Sequence, residues 1–265
     1  MLYVYAIVAD HAAGVEALLP AEGILPGVAV RLVPAGAFHR PAPEASSLSV
    51  LVSEVPDTVF GEETLRAHLG DADWTRARIL AHQRVVSALL PVATVLPLKF
   101  CTLFAQDASL AAALATQRPA LEATVARLRG AREWGVKLFF AAPPRSTLPL
   151  EPVGAGAGLA FFRRKKQEQE ARAAAEAALD HCVAASHRRL ARLARAAVAN
   201  PLQPPELHGQ AAVMALNGAY LVAAEDEPAW RDALAELEQA HAASGARYVL
   251  TGPWAPYHFT GDGLV

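Results

Sequence analysis

Short runs of apolar and β-branched residues alternate along the chain with longer stretches whose apolar positions recur every three or four residues. These two periods separate strands from amphipathic helices. The run LYVYAIVA at 2–9 predicts an opening strand closed by Asp10-His11, and VAVRLVPA at 28–35 and LSVLVSEV at 48–55 predict two more. Gly36, Pro41 and Pro43 separate the last two. Alternation along the third run is incomplete, and a sheet buried mostly on one face is the expectation. Helical spacing then takes over. Trp74, Ala77, Ala81, Val85 and Ala88 fall on one stripe, with Asp71 or Asp73 as the N-cap and Pro91 just past the end. ATVLPLKFCTLF reads as extended or irregular, because Pro97 disfavours helix at Leu96. Asp107 starts a helix with Leu110 and Leu114 inward. Pro119 then begins a new one, with Leu121, Val125 and Leu128 continuing the stripe and Gly130 as its stop.

The pattern resets after Gly130. WGVKLFFAAP predicts a strand bounded by Gly130 and Pro143-Pro144, and a Pro- and Gly-rich loop at 143–158 leads into a long helix at about 160–199. Leu179, Val183, Leu190, Leu193 and Ala197 mark its inward stripe, and Asn200-Pro201 ends it. HGQAAVMALNGAYLVAAED predicts two strands turning at Asn217-Gly218. Asp226-Glu227-Pro228 opens a helix that carries Trp230, Leu234, Leu237 and His241; Ser244-Gly245 closes it, and ARYVLTGPW is the last strand. The resulting order, β-α-β-β-α-β, is that of the ferredoxin-like split βαβ. The fold class is therefore α+β in two domains: a mixed α+β domain over 1–131, a ferredoxin-like domain over 132–250, and a tail over 251–265 that packs back on the domains. The tail stretch TGPWAPYHF is too stiff and too aromatic for a frayed end. Its expected place is a groove lined by both domains, with Trp254 and Tyr257 at least half buried.

Composition narrows the function classes. Of 265 residues 53% are hydrophobic and 19% charged, which excludes a disordered chain. A net charge of −2 gives no basic footprint for nucleic acid. The two cysteines, Cys101 and Cys182, lack paired spacing and suit a reducing compartment. With no membrane-span-length apolar run and no charged leader followed by a cleavage site, a cytoplasmic protein is expected.

Candidate chemistry is sparse. The sequence contains no phosphate loop, dinucleotide fingerprint, zinc-protease helix, nucleophile elbow or paired-cysteine site, so no catalytic residue, cofactor or metal is expected. GAGAGLAFFRRKK at 154–166 is glycine-rich and basic but lacks the ending of a phosphate loop. A linker followed by a helix start is the plainer reading. Arg163, Arg164, Lys165 and Lys166, followed by Glu168 and Glu170, read as a solvated helix face, with docking of an acidic partner as the functional alternative. Cys101 would be a nucleophile if His82 approached it; its apolar neighbours favour a packed thiol. Trp74, Trp134 and Trp230 read as core. A ligand-binding regulatory module is a further alternative, by analogy with other ferredoxin-like sheets.

YVYAIV at 3–8, LPLKFCTLF at 96–104, REWGVKL at 132–138, FFRRK at 161–165 and LTGPWAPYHF at 250–259 together resemble the gas vesicle protein F/L family, in order and over essentially the whole chain. The most specific pieces contain Glu133, Trp134, Lys137, Trp254 and Tyr257, taken here as a structural motif. One departure is Cys101, where the family pattern LPLRFGT carries glycine; another is Lys99 in place of arginine. The resemblance implies a non-enzymatic accessory protein of the gas vesicle. Such a protein binds the small, hydrophobic shell protein and other accessory proteins, limiting shell-protein aggregation or serving as a minor vesicle component. It does not separate F-type from L-type members.

Overall fold

A computed structural model describes residues 1–38, 48–140, 157–209 and 212–261. Strand β1 (Leu2–Ala9) is buried at all eight positions, so it must be central and covered on both faces. The first sheet runs in the order β2 (Arg31–Pro34), β3 (Ser49–Glu54), β1, β4 (Thr94–Pro97), and the short β5 (Leu103–Phe104) pairs with the start of β1. Strands β3, β4 and β5 are all antiparallel to β1. The expectation of a sheet buried mostly on one face therefore fails at β1. The strand is also bulged. The register with β3 shifts between Val4 and Ala6, leaving Tyr5 as a bulged residue. Parity flips there, so Tyr3, Tyr5, Ala6 and Val8 all enter the same core cluster.

Between β3 and β4 lie α1 (Asp57–Phe60), α2 (Glu62–Leu69) and α3 (Ala72–Ala88). Asp71 caps α3, its carboxylate accepting from the Asp73 and Trp74 amides. The inward face of α3 carries Ala81, His82, Val85 and Val86 and packs against β1. After β5 comes α4 (Asp107–Leu128), a single helix with Pro119 inside it, where a break was expected. Burial of Leu110, Leu114, Leu121, Val125 and Leu128 on one continuous stripe outweighs the one backbone bond that the proline removes.

The chain forms two compact units, Met1–Glu133 with the C-terminal segment from Pro253, and Trp134–Gly252. Strand β6 (Ala131–Phe140) enters the second unit, whose sheet has the order β7-β8-β6-β9. Helix α5 (Ala157–Arg192) stops well before residue 199. The expected last turns are instead β7 (Ala196–Ala199), an alanine-rich edge strand antiparallel to β8. A short α6 (Pro205–His208) precedes β8 (Val213–Ala223), a single strand with no turn at Asn217-Gly218. Gly218 is there for space: a Cβ would lie 2.6 Å from the Tyr220 hydroxyl. Helix α7 (Glu227–His241) and β9 (Ala246–Trp254) complete the unit. One cluster joins Trp134, Val136 and Leu138 of β6 to Cys182 and Leu190 of α5, Tyr220 of β8, Trp230 and Leu234 of α7, and Tyr248 of β9. Both sheets are antiparallel, and the whole is a mixed α/β fold. The glycine-rich stretch 154–156 and most of the loop 143–158 lie outside the described residues.

Candidate functional site

The most distinctive polar geometry of the first unit gathers around the C-terminal segment. Past Trp254 the chain buries Ala255 and turns through a single 3-10 turn, Tyr257–Phe259, with Phe259 also buried. Arg127 of α4 donates to the Phe259 carbonyl. Glu133, only 3% exposed, takes two bonds from one residue: the His258 amide donates to Oε2 at 3.1 Å and His258 Nδ1 to Oε1 at 2.7 Å. A carboxylate only accepts, so Nδ1 carries the hydrogen. The Glu133 carboxylate raises the His258 pKa, with partial burial opposing it.

Gln83 and Ser87 of α3, with Glu133, Trp254, Ala255, Tyr257 and His258, line a pocket of about 160 Å³. The pocket is thus built within one unit. Trp254 is 47% exposed, while the Tyr257 hydroxyl is buried without a hydrogen-bond partner. Burial pushes the Tyr257 pKa up, and the Glu133 charge adds to this.

Near this pocket lies an aromatic nest. The His82 ring has Tyr3, Tyr5, Phe100 and Tyr257 around it at centroid distances of 5.7, 5.6, 6.1 and 6.3 Å. Its Nδ1 pairs with the Tyr3 hydroxyl at 2.8 Å. Burial lowers the His82 pKa to about 4, against an opposing contribution from the Leu98 carbonyl. Tyr3 also accepts from the Cys101 amide at 3.1 Å. Cys101 adopts φ +63°, the left-handed conformation that favours glycine. The family's glycine at this position is thus matched by a conformation that suits glycine. Burial pushes the Cys101 thiol up to about 11, away from the reactive thiolate.

The residues singled out from sequence fall into three groups. Glu133, Trp254 and Tyr257 meet in the pocket. Trp134 and Lys137 belong to the second unit, where the Arg231 guanidinium sits 4.2 Å from the Trp134 ring centroid and Lys137 Nζ donates to Gln203. Arg163, Arg164, Lys165 and Lys166 stand exposed on α5, with Arg164–Glu168 and Lys166–Glu170 as i,i+4 pairs at 4.0 and 3.8 Å. Sequence reasoning missed His258 as the partner of Glu133, because the two lie 125 positions apart. It also missed Gln83 and Ser87, which are ordinary polar positions on the outer side of a helix. Among the described residues no group of three or more His, Cys, Asp or Glu could hold a metal. No helix there is long and apolar enough to cross a membrane.

Comparison with known proteins gives a consistent result. The family described as gas vesicle synthesis protein GvpL/GvpF matches residues 1–261. A gas vesicle protein L from a Streptomyces species is 33% identical over 217 residues, which is 81% of this chain and 80% of that protein. Two crystal structures of the gas vesicle protein GvpF share the fold at 17% identity. The one from an Anabaena species has a TM-score of 0.64, covering 98% of this chain and 95% of that one. The one from Microcystis aeruginosa has a TM-score of 0.62 and covers 98% of each.

Proposed function

Because the chain belongs to the gas vesicle GvpL/GvpF family, we propose that it serves vesicle formation as an accessory factor that binds the hydrophobic shell protein and limits its aggregation. Other accessory proteins of the vesicle would be its further partners, and its place the cytoplasm and the growing vesicle. One observation carries this reading. Every residue of α5 from Phe161 to Ala178 is exposed, and the stretch opens with Phe161 and Phe162, 49% and 69% exposed, directly before Arg163 to Lys166. A helical stretch that adds nothing to its own unit's core, yet displays two phenylalanines, offers a surface for an apolar partner. The basic quartet beside them would orient that partner and keep the surface in solution.

The second unit is read as a ferredoxin-like domain over 132–250. Its strand order β7-β8-β6-β9 and its two long helices packed into one cluster support this. The tail is read as part of the first unit's packing. Catalysis by Cys101 has no supporting geometry, and the ligand-binding alternative rests on fold analogy alone.

The test is co-precipitation of the shell protein with the wild type and with Phe161→Asp/Phe162→Asp. The double variant should lose at least about tenfold in recovered shell protein while melting where the wild type does, since both side chains are exposed. Undiminished recovery, with normal vesicles in cells carrying the variant, would reject this surface.

A further inference from the structure

The pocket on the first unit has room for a side chain, and the described residues leave acceptor sites of its Glu133 carboxylate unfilled. At about 160 Å³ it is below the 300–1,000 Å³ typical of sites for free small molecules and suits a single side chain. Its walls are aromatic, Tyr257 beside the half-exposed Trp254. Its polar end is Glu133, nearly fully buried. A carboxylate offers about four lone-pair sites, and His258 occupies one on each oxygen. What remains is a buried anion with spare acceptor capacity, faced by aromatic surfaces. Among the described residues its one paired group, His258, is itself 41% exposed and is charged only when protonated.

We propose that this pocket receives an arginine side chain from a protein partner. The occupant is identified by three matches. A guanidinium is planar and forked, so it can bond both carboxylate oxygens where an ammonium acts as a point charge. It stacks on aromatic faces, as Trp254 and Tyr257 provide. Its three-methylene stem is apolar enough to lie along Ala255 and the indole while the head is desolvated. A carboxylate or phosphate occupant would face Glu133 as a like charge, and a purely apolar one would leave the free lone pairs of that buried anion unmet. The inference goes beyond the proposed α5 surface: it concerns the other unit, built from different elements, and either can fail alone.

The test uses the full chain and acetyl-arginine amide, followed by the Trp254 indole signal in ¹H–¹⁵N spectra, assigned with Trp254→Phe. Arginine amide should shift that signal saturably. Acetyl-citrulline amide, which has the same shape without the charge, should bind at least about tenfold more weakly. Glu133→Gln should lose the discrimination between the two. Ser87→Met, at an exposed helix position on the rim, should block binding without disturbing the fold, which keeps the test decisive if Glu133→Gln unfolds. Equal response to citrulline, shifts confined to other residues, or undiminished binding in a folded Ser87→Met would each overturn the proposal.

Discussion

Each unit ties its central sheet to a helix through a tyrosine–histidine pair, and the two pairs live under opposite conditions. In the first unit Tyr3 of β1 meets His82 of α3 at 2.8 Å; in the second Tyr220 of β8 meets His187 of α5 at 2.9 Å. Distances this alike would suggest like contributions. Surroundings decide otherwise. His82 is 2% exposed and ringed by aromatics, and its Nε2 makes no well-formed hydrogen bond. Tyr220 is as buried as Tyr3, but His187 is only partly buried, so removing the imidazole opens a way for water to the Tyr220 hydroxyl. A hydrogen bond in the open contributes about 1 kcal/mol net, but orphaning a buried partner costs the full desolvation of that group. The same pair of residue types thus lies wholly inside one core, while in the other only its tyrosine does and its histidine sits at the edge.

The largest expected effect follows directly. His82→Ala should destabilise by about 3–4 kcal/mol, combining a core cavity with a buried, half-deserted Tyr3 hydroxyl. His187→Ala should cost about 1 kcal/mol. Urea denaturation of both variants checks this, provided that the transition of each unit is resolved. Equal losses would break the comparison.

Acid separates the sites next. With its folded value lowered to about 4, His82 stays neutral in the native state while the unfolded chain takes up a proton below about 6.5. Its contribution is therefore intact above 6.5 and declines as pH falls toward 4, by roughly 3 kcal/mol at 1.36 kcal/mol per pH unit. His258 runs the other way. Glu133 raises its folded pKa, so its stabilisation is full below about 6.5 and is lost as pH rises through the folded value. The wild type should lose urea resistance between pH 7 and 4, and His82→Gln should lose clearly less. His258→Gln should cost more stability at pH 6 than at pH 9. An unchanged acid slope in His82→Gln would remove His82 as its source.

How much of this could be read from the residues depends on the range of the interaction. Capping of α3 by Asp71 and the stripe of Trp230, Leu234 and Leu237 are local signals that appear in the structure, while α7 ends at His241 and the left-handed Gly245 closes the 3-10 turn after it. The errors came where tertiary packing overrode a local preference. Alanines at 196–199 favour helix in isolation but pair with β8, and Asn217-Gly218 is a turn signal only when no tyrosine ring needs the space over the glycine. Pro119 stays inside α4 for the same reason. The second unit has as its second strand β7, which the sequence hid, followed by the short α6 and then β8, instead of a hairpin at 217–218. In the pocket, Glu133, Trp254 and Tyr257 stood out as unusual residues. Their assembly with His258 and Ser87 depends on contacts between distant parts of the chain, which no local pattern encodes.

The smallest effect concerns the third member of the buried pair. Tyr3 accepts from the Cys101 amide, and that amide is aimed by a left-handed backbone at φ +63°. An L-residue there is strained by roughly 1–2 kcal/mol, and glycine is not. Glycine also loses more chain entropy on folding and leaves the thiol's partly buried contacts empty, which offsets part of the relief. Comparing Cys101→Gly with Cys101→Ala removes the thiol from both sides, leaving mainly the methyl group and the backbone conformation. The glycine variant should be the more stable of the two by about 1 kcal/mol, and the Tyr3–His82 pair should survive in it because the amide keeps its direction. If alanine matches glycine, the left-handed turn carries no strain. The difference between the two cores then rests on the burial of His82 alone.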